Sequence, residues 1–190
     1  MKTKKYNKWL AIVLSLVIFV AFFVYKTHER ASIIRDKDIY SAKMYSLCIS
    51  IYKPSLSYNN VTDFEKYFQS ESVSNLASEL EAVLKEYIDH CEKHDISIRL
   101  DRDIKGYHAN IAIFSNYREV MLSMLQSSKE DAANYENIIE DNHIAVIEGI
   151  ASDIERYEKN LESVNQRLSD NNYFFNAWSV ILSCGLPSVS

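Results

Sequence analysis

An uncharged, strongly apolar run near the N-terminus constrains this chain more than any other feature. It extends from Trp9 to Tyr25, reads WLAIVLSLVIFVAFFVY, and contains no glycine or proline. A helix of that length measures about 25 Å, close to the roughly 30 Å hydrocarbon core of a bilayer. Trp9 and Tyr25 stand at its two ends, where amphipathic rings favour the interface between lipid and water. The run predicts a transmembrane helix.

The alternative interpretation of this run is a secretory signal that is removed from the mature protein. Such a signal has an apolar core of about 7–15 residues, followed by a small-x-small cleavage site. The run here is longer, and it continues into Phe23-Val24-Tyr25-Lys26-Thr27, which lacks such a site. We therefore expect an uncleaved anchor, and the residues that mark it are Trp9, Leu14, Phe19, Phe23 and Tyr25.

The rest of the chain contains few residues that interrupt helices. The 190 residues include only three glycines and two prolines, whereas proteins with many short strands use more of both in their turns. Behind the anchor, apolar residues recur at steps of three and four, the period of one helical face. The sequence predicts an all-α protein with an N-terminal transmembrane helix, an antiparallel four-helix-like bundle that includes one long helix, and a short hydrophobic C-terminal helix.

The bundle is expected to contain four helical stretches, with apolar stripes over residues 28–53, 73–94, 103–127 and 129–169. A capping box at Thr62 and Glu65 predicts the start of a further short helix, because each side chain can satisfy the backbone N–H of the other. The last stretch is expected to be nearly twice as long as its neighbours, with coiled-coil-like packing, and to end at Asp170-Asn-Asn172. The predicted segments are a basic flank (1–8), the anchor (9–25), the bundle domain (26–170) and a hydrophobic tail (171–190).

The tail contains an apolar segment from Tyr173 to Leu186, which is short for a membrane span. Three interpretations are open: a buried core helix, an interfacial segment, or half of a membrane hairpin. In an up-down-up-down bundle, the fourth helix ends on the side where the first began. We therefore favour interfacial or re-entrant membrane contact, and the residues expected to make it are Phe174, Phe175, Trp178, Ile181 and Leu182.

Charge is distributed unevenly along the chain. Up to Lys53 there are ten basic and three acidic residues, and from Pro54 onward there are eleven basic and 23 acidic residues. Anionic head groups attract the basic part, which flanks the anchor. The acidic remainder argues against nucleic acid as a partner. The expected partners are therefore the lipid bilayer and either another protein or a second copy of the chain, bound through helices.

The side of the membrane on which the bundle lies is weakly encoded. Lys2, Lys4, Lys5 and Lys8 precede the anchor, but further basic residues follow it closely. The positive-inside rule is therefore nearly balanced. We expect a single-pass protein of the cell (inner or plasma) membrane, with the bundle domain outside the cytoplasm.

His90 and His94 are the weak candidates for a metal site, because residues four apart project from one helical face. The zincin motif places glutamate directly after the first histidine, and this chain has Cys91 there. A structural zinc also needs four ligands. We therefore expect no metal and no other cofactor.

No other motif predicts catalysis. Glu140-x-x-His143 resembles one half of a di-iron site, but a second Glu-x-x-His is absent from the sequence, and His143 lies on an apolar stripe, as core histidines do. Nucleophile elbows, Walker loops and dinucleotide-binding glycine motifs are also absent. We expect a protein that is not an enzyme.

These features predict a membrane-anchored, non-enzymatic helical interaction, scaffold or sensor module within a membrane-associated complex. In this hypothesis, the long fourth helix overhangs the others and offers its apolar stripe to a partner helix. The alternative is a membrane-active oligomer, either pore-forming or of the immunity type, which would use the anchor together with the apolar tail. A metal-dependent enzyme is a third hypothesis, and it depends on His90 and His94.

Overall fold

A computed structural model describes the backbone of residues 3–128 and 132–184, and the side chains of residues 9–127 and 132–170 except residue 103. Every regular element in these ranges is helical, so the protein is all-α, as the sequence predicts. Short 3-10 turns occupy Lys53–Ser57 and Ala132–Asn134. The helices are α1 (Thr3–Tyr52), α2 (Val61–Phe68), α3 (Glu71–Lys93), α4 (Arg102–Lys105), α5 (Tyr107–Ser115), α6 (Tyr117–Ser128) and α7 (Tyr135–Cys184).

Helix α1 joins the apolar run to the first predicted bundle stretch without a break. It is 50 residues long, and Pro54, which cannot continue an α-helix, lies in the 3-10 turn that follows. Its two halves differ in burial. Large apolar side chains up to Tyr25 are more than half exposed, apart from Val24, whereas Met44, Cys48 and Ile51 are buried.

Helix α2 begins differently from the prediction. Asn60 is its N-cap, and its side-chain oxygen accepts a hydrogen bond from the backbone N–H of Asp63 at 2.9 Å. The predicted capping box at Thr62 and Glu65 is therefore wrong. The Glu65 carboxylate instead accepts a hydrogen bond from the backbone N–H of Arg118 at 2.6 Å, which ties α2 to the start of α6. Ser70 caps α3, and its hydroxyl oxygen accepts a hydrogen bond from the backbone N–H of Val73 at 3.4 Å.

The stretch predicted as one helix over residues 103–127 is divided into α4, α5 and α6. Gly106 separates the first two helices, and Asn116 separates the last two. A tertiary contact accompanies the second break, because the Gln69 side-chain amide donates to the backbone carbonyl of Ser115 at 2.6 Å. Local periodicity contains no signal for such a contact.

Helix α7 passes through the predicted stop at Asp170-Asn-Asn172 and reaches Cys184. Asp and Asn have helix propensities only about 0.5–0.7 kcal/mol poorer than alanine, and the next glycine is Gly185. The expected short C-terminal helix is therefore a continuation of α7. Helix α7 is long, as predicted, but it is not nearly twice as long as all its neighbours, since α1 and α7 are each 50 residues long.

Helices α3 and α7 both pack against α1 and run in the opposite direction to it. Glu79 of α3 pairs with Lys43, whereas His90 meets the backbone of Ile33, ten residues earlier in α1. On α7, Tyr157 contacts Tyr45 and Arg167 contacts Asp38. The core lies between these helices and the shorter α2, α4 and α5. Its largest fully buried side chains include Tyr87, Tyr107, Tyr157, Phe64, Met44, Ile51 and Leu80.

The apolar stripe of α7 takes part in this core. Ile139, Ile150, Ile154 and Tyr157 are all buried. The expectation that this stripe overhangs and binds a partner helix is therefore wrong, because α1 and its neighbours already cover it. Below, the end of the packed helices that holds Ile33, Asp38, His90 and Arg167 is called the basal end. The end that holds Tyr58, Val61 and His143 is called the distal end.

Candidate functional site

The apolar part of α1 extends beyond the basal end, and its described large apolar side chains are exposed except that of Val24, which is partly buried. Among the described residues, α1 is the one helix long and apolar enough to cross a membrane. The five predicted anchor residues, Trp9, Leu14, Phe19, Phe23 and Tyr25, are 61–69 % exposed. Burying one large apolar side chain contributes about 1.5–3 kcal/mol. The uncovered segment therefore strongly favours an apolar environment.

One face of this segment carries an open apolar groove. Successive members of its lining are at most four residues apart, as on one face of a helix. The described residues that line the groove are Leu16, Val17, Val20, Ala21, Val24, Tyr25 and His28.

An ion pair connects α1 with α7 at the basal end. The Asp38 carboxylate accepts two hydrogen bonds from the Arg167 guanidinium, at 2.9 Å from Nη2 and 3.2 Å from Nε. The Asp38 side chain is only 9 % exposed, whereas that of Arg167 is 52 % exposed. Donation to the carboxylate raises the pKa of Arg167 above its ordinary value. This two-point contact fixes the relative position of the two 50-residue helices.

An open cleft surrounds this ion pair. Lys37 at its edge donates a hydrogen bond to the backbone carbonyl of Ser97, and Asp170 accepts one from Gln166. Lys37 thus joins α1 to the segment that follows α3, whereas the Asp170 contact lies within α7. The residues that line the cleft are Ile34, Lys37, Asp38, Ile96, Arg167 and Asp170.

The predicted metal candidates His90 and His94 lie side by side at the basal end, with ring centroids 4.8 Å apart. His90 Nε2 is 2.9 Å from the backbone carbonyl of Ile33, so this nitrogen carries the proton and donates it. The ring also packs against Tyr40. Within the described part of the chain, no group of three His, Cys, Asp or Glu side chains is placed to hold a metal. The arrangement supports packing of α3 on α1.

His143 is buried at the distal end, 1 % exposed. Its Nε2 is 3.0 Å from the backbone carbonyl of Tyr58, and the edge of its ring meets Phe64. Its Nδ1 and the nearby Tyr117 hydroxyl have no hydrogen-bond partner among the described residues. These contacts confirm the interpretation of His143 as a core histidine.

Several tyrosines contribute their rings to the core and their hydroxyls to the backbone. Tyr67 donates to the carbonyl of Ile51 at 2.6 Å, and Tyr87 donates to that of Arg99 at 3.2 Å. Burial is the main cause that raises the pKa of four tyrosines to about 12. These are Tyr45, Tyr67, Tyr87 and Tyr107.

The predicted membrane-contacting residues of the tail lie within α7. Their side chains are outside the described part of the structure, and residues 185–190 are outside it entirely. Their contact with lipid stays a prediction. The residues concerned are Phe174, Phe175, Trp178, Ile181 and Leu182.

The sequence alone does not predict the Asp38–Arg167 pair. One signal was present, since Arg167 lies three residues after Val164, on the apolar stripe of α7. A long charged side chain beside an apolar stripe usually keeps its charged group in solvent. The position of Arg167 therefore does not by itself predict an ion pair or its partner. The pairing needs the register of two helices whose contacting residues are 129 positions apart.

Comparison of the chain with protein-family models, with curated proteins and with solved structures gives no match. Function is therefore inferred from the geometry described above.

Proposed function

We propose that this protein is a single-pass, membrane-anchored, non-enzymatic helical module that acts through contact with another protein or a second copy of itself. In this proposal, Trp9–Tyr25 spans the cell membrane, and the packed helices form an antiparallel bundle outside the cytoplasm. One observation carries the proposal. The uncovered apolar half of α1 is continuous with the half that packs in the core.

The continuity of α1 supports a scaffold or sensor role. Sharp kinks in helices occur mainly at proline, at glycine or at π-bulges, and α1 contains no glycine or proline. A rotation or tilt of the anchor would therefore be transmitted directly to Met44, Cys48 and Ile51 in the core. A module of this kind can report events in the membrane plane to a partner of the bundle.

The use of buried polar groups favours a non-enzymatic module. Asp38 binds Arg167, and the buried hydroxyl of Ser55 donates to the carbonyl of Tyr52 at 2.7 Å. His143 binds the backbone of Tyr58. Active sites hold polar groups that converge on a pocket with shifted pKa values, and these groups instead connect helices and turns to one another.

The membrane-active oligomer is the alternative function. The apolar end of α7 supplies a second membrane element for it, but intramembrane polar residues usually mark conducting pathways. Ser15 is the single polar residue deep in the anchor. The interaction module is therefore the better-supported proposal.

The surface expected to meet a partner is the exposed flank of α7 that carries Ile144. This side chain is 62 % exposed, although it is large and apolar. Asn142 lies about 200° around the helix on the opposite flank and is also exposed. The two positions therefore form a matched pair for cross-linking.

To test the proposal, a photoreactive amino acid would replace Ile144 or Asn142 in cells that carry two differently tagged copies of the chain. We expect a discrete higher-mass product from position 144 and much less from position 142. The tags reveal whether the partner is a second copy. Monomer alone from both positions would contradict the interaction role.

A further inference from the structure

The register between α1 and α7 is fixed at two places. Asp38 meets Arg167 through two hydrogen bonds, and the rings of Tyr45 and Tyr157 lie 6.1 Å apart between centroids. The order of these contacts shows that the two helices run in opposite directions. Both helices continue beyond Asp38 and Arg167 toward the anchor end of the molecule, α1 to Thr3 and α7 to Cys184.

This register relates the end of α7 to the end of the anchor. Tyr25 precedes Asp38 by thirteen residues, and the same number of residues beyond Arg167 leads to position 180. Tyr25 likewise precedes Tyr45 by twenty residues, and the same number of residues beyond Tyr157 leads to position 177. Antiparallel helices rise equally per residue, so positions 177–180 of α7 lie level with Tyr25.

The face of α1 that carries Asp38 continues into the anchor. Positions at steps of seven before Asp38 are Ala31, Val24 and Val17. Ala31 and Val24 are both partly buried, although the apolar side chains around Val24 are exposed. Val24 and Val17 also line the apolar groove. The groove thus lies on the face of α1 along which α7 approaches.

The composition of the end of α7 fits the interface between lipid and water. Residues 173–184 read YFFNAWSVILSC and contain no charge. Residues 181–184 extend about 2–10 Å beyond the level of Tyr25, by the helical rise. Tyr and Trp, which this stretch contains at positions 173 and 178, are the residues that favour the zone between lipid and water.

We infer that the C-terminal end of α7, residues 173–184, is a second membrane-contacting segment. It enters the leaflet next to the packed helices, beside the groove of the anchor, with residue 178 at the depth of Tyr25. Lipid of that leaflet covers it. The inference rests on the proposed role of Trp9–Tyr25 as a membrane span.

The two tryptophans of the chain, Trp9 and Trp178, allow a direct test. The full-length Trp9→Phe variant would be reconstituted into phosphatidylcholine vesicles whose acyl chains carry bromine either near the head group or near the chain end. We expect bromine near the head group to quench on the order of half of the Trp178 fluorescence, and the deeper bromine to quench less.

The Trp178→Phe variant retains Trp9 and reports on the anchor separately. Quenching of Trp9 without quenching of Trp178 would overturn the second segment and leave the anchor intact. Stronger quenching of Trp178 by the deeper bromine would overturn the stated depth. Absence of quenching in both variants would overturn the anchor as well as the second segment.

Discussion

Asp38 and Arg167 illustrate how single residues hold this fold together. Removing Arg167 leaves the nearly buried Asp38 carboxylate without the guanidinium that donates two hydrogen bonds to it. We expect Arg167→Ala to lower the free energy of unfolding by about 1–2 kcal/mol, a value that allows for the exposure of the guanidinium. Lys43→Ala is the control, since it breaks an exposed ion pair between α1 and α3 and should cost about 0–1 kcal/mol. Denaturant unfolding in detergent measures both changes, and a larger loss for Lys43→Ala would contradict the assignment.

Four buried or partly buried tyrosines predict a stability limit at high pH. Tyr45, Tyr67, Tyr87 and Tyr107 have a pKa of about 12 in the fold, against about 10 in an unfolded chain. A raised pKa means that the fold favours the neutral hydroxyl. Their contribution is complete below pH about 10 and is lost as the pH rises through about 12.

Near-ultraviolet absorbance of tyrosinate, followed together with far-ultraviolet circular dichroism, measures this behaviour. We expect part of the tyrosine signal to appear only near pH 12, together with loss of helix, and Tyr67→Phe to reduce that late part. A single transition near pH 10 in a protein that keeps its helices would show that these rings are accessible to water.

At the scale of elements, α7 offers a matched comparison between a buried and an exposed isoleucine. Ile139 is fully buried in a cluster with Val61, Tyr117 and Leu125, whereas Ile144 is 62 % exposed. We expect Ile139→Ala to lower the free energy of unfolding by about 2–5 kcal/mol, and Ile144→Ala to change it by no more than about 0.5 kcal/mol. Thermal or denaturant unfolding measures the difference, and similar losses would contradict the orientation of α7.

The sequence predicts elements well where a periodic stripe meets a core, and poorly where one contact decides a boundary. Val73, Leu80, Val83, Tyr87 and Cys91 recur at helical steps, and all are buried on α3. The break at Asn116 accompanies a hydrogen bond from Gln69 to Ser115, and Glu65 accepts one from the backbone N–H of Arg118 instead of closing a capping box. Such partners are distant in sequence, so local patterns do not encode them.

The features of the candidate site also divide into those that local sequence predicts and those that depend on contacts between helices. Residues 9–25 were recognisable because length and apolar composition are local properties, and the segment is indeed uncovered. The partner of Asp38 and the carbonyl that His90 meets depend on how three helices align. Asp170-Asn-Asn172 suggested a stop, yet these residues disfavour a helix only weakly, and α7 continues through them.

At the scale of the whole molecule, two long helices of opposite direction connect the core with the uncovered apolar segment. Helix α1 connects the uncovered segment with the core, and α7 returns toward it from the distal end. We propose that the segment from Trp9 to Tyr25 crosses the membrane, with the packed helices on one side.

Cysteine accessibility at the two ends of α1 tests this claim most directly. Thr3→Cys and Ser57→Cys would be introduced separately into a variant without Cys48, Cys91 and Cys184, and intact cells would be treated with a membrane-impermeant maleimide. Ser57 is exposed in the turn that follows α1. A cysteine there therefore reacts whenever the maleimide reaches its side of the membrane. We predict labelling at position 57 in intact cells and at position 3 only after lysis. Equal accessibility of the two positions, or loss of residue 3 from the mature protein, would contradict the span.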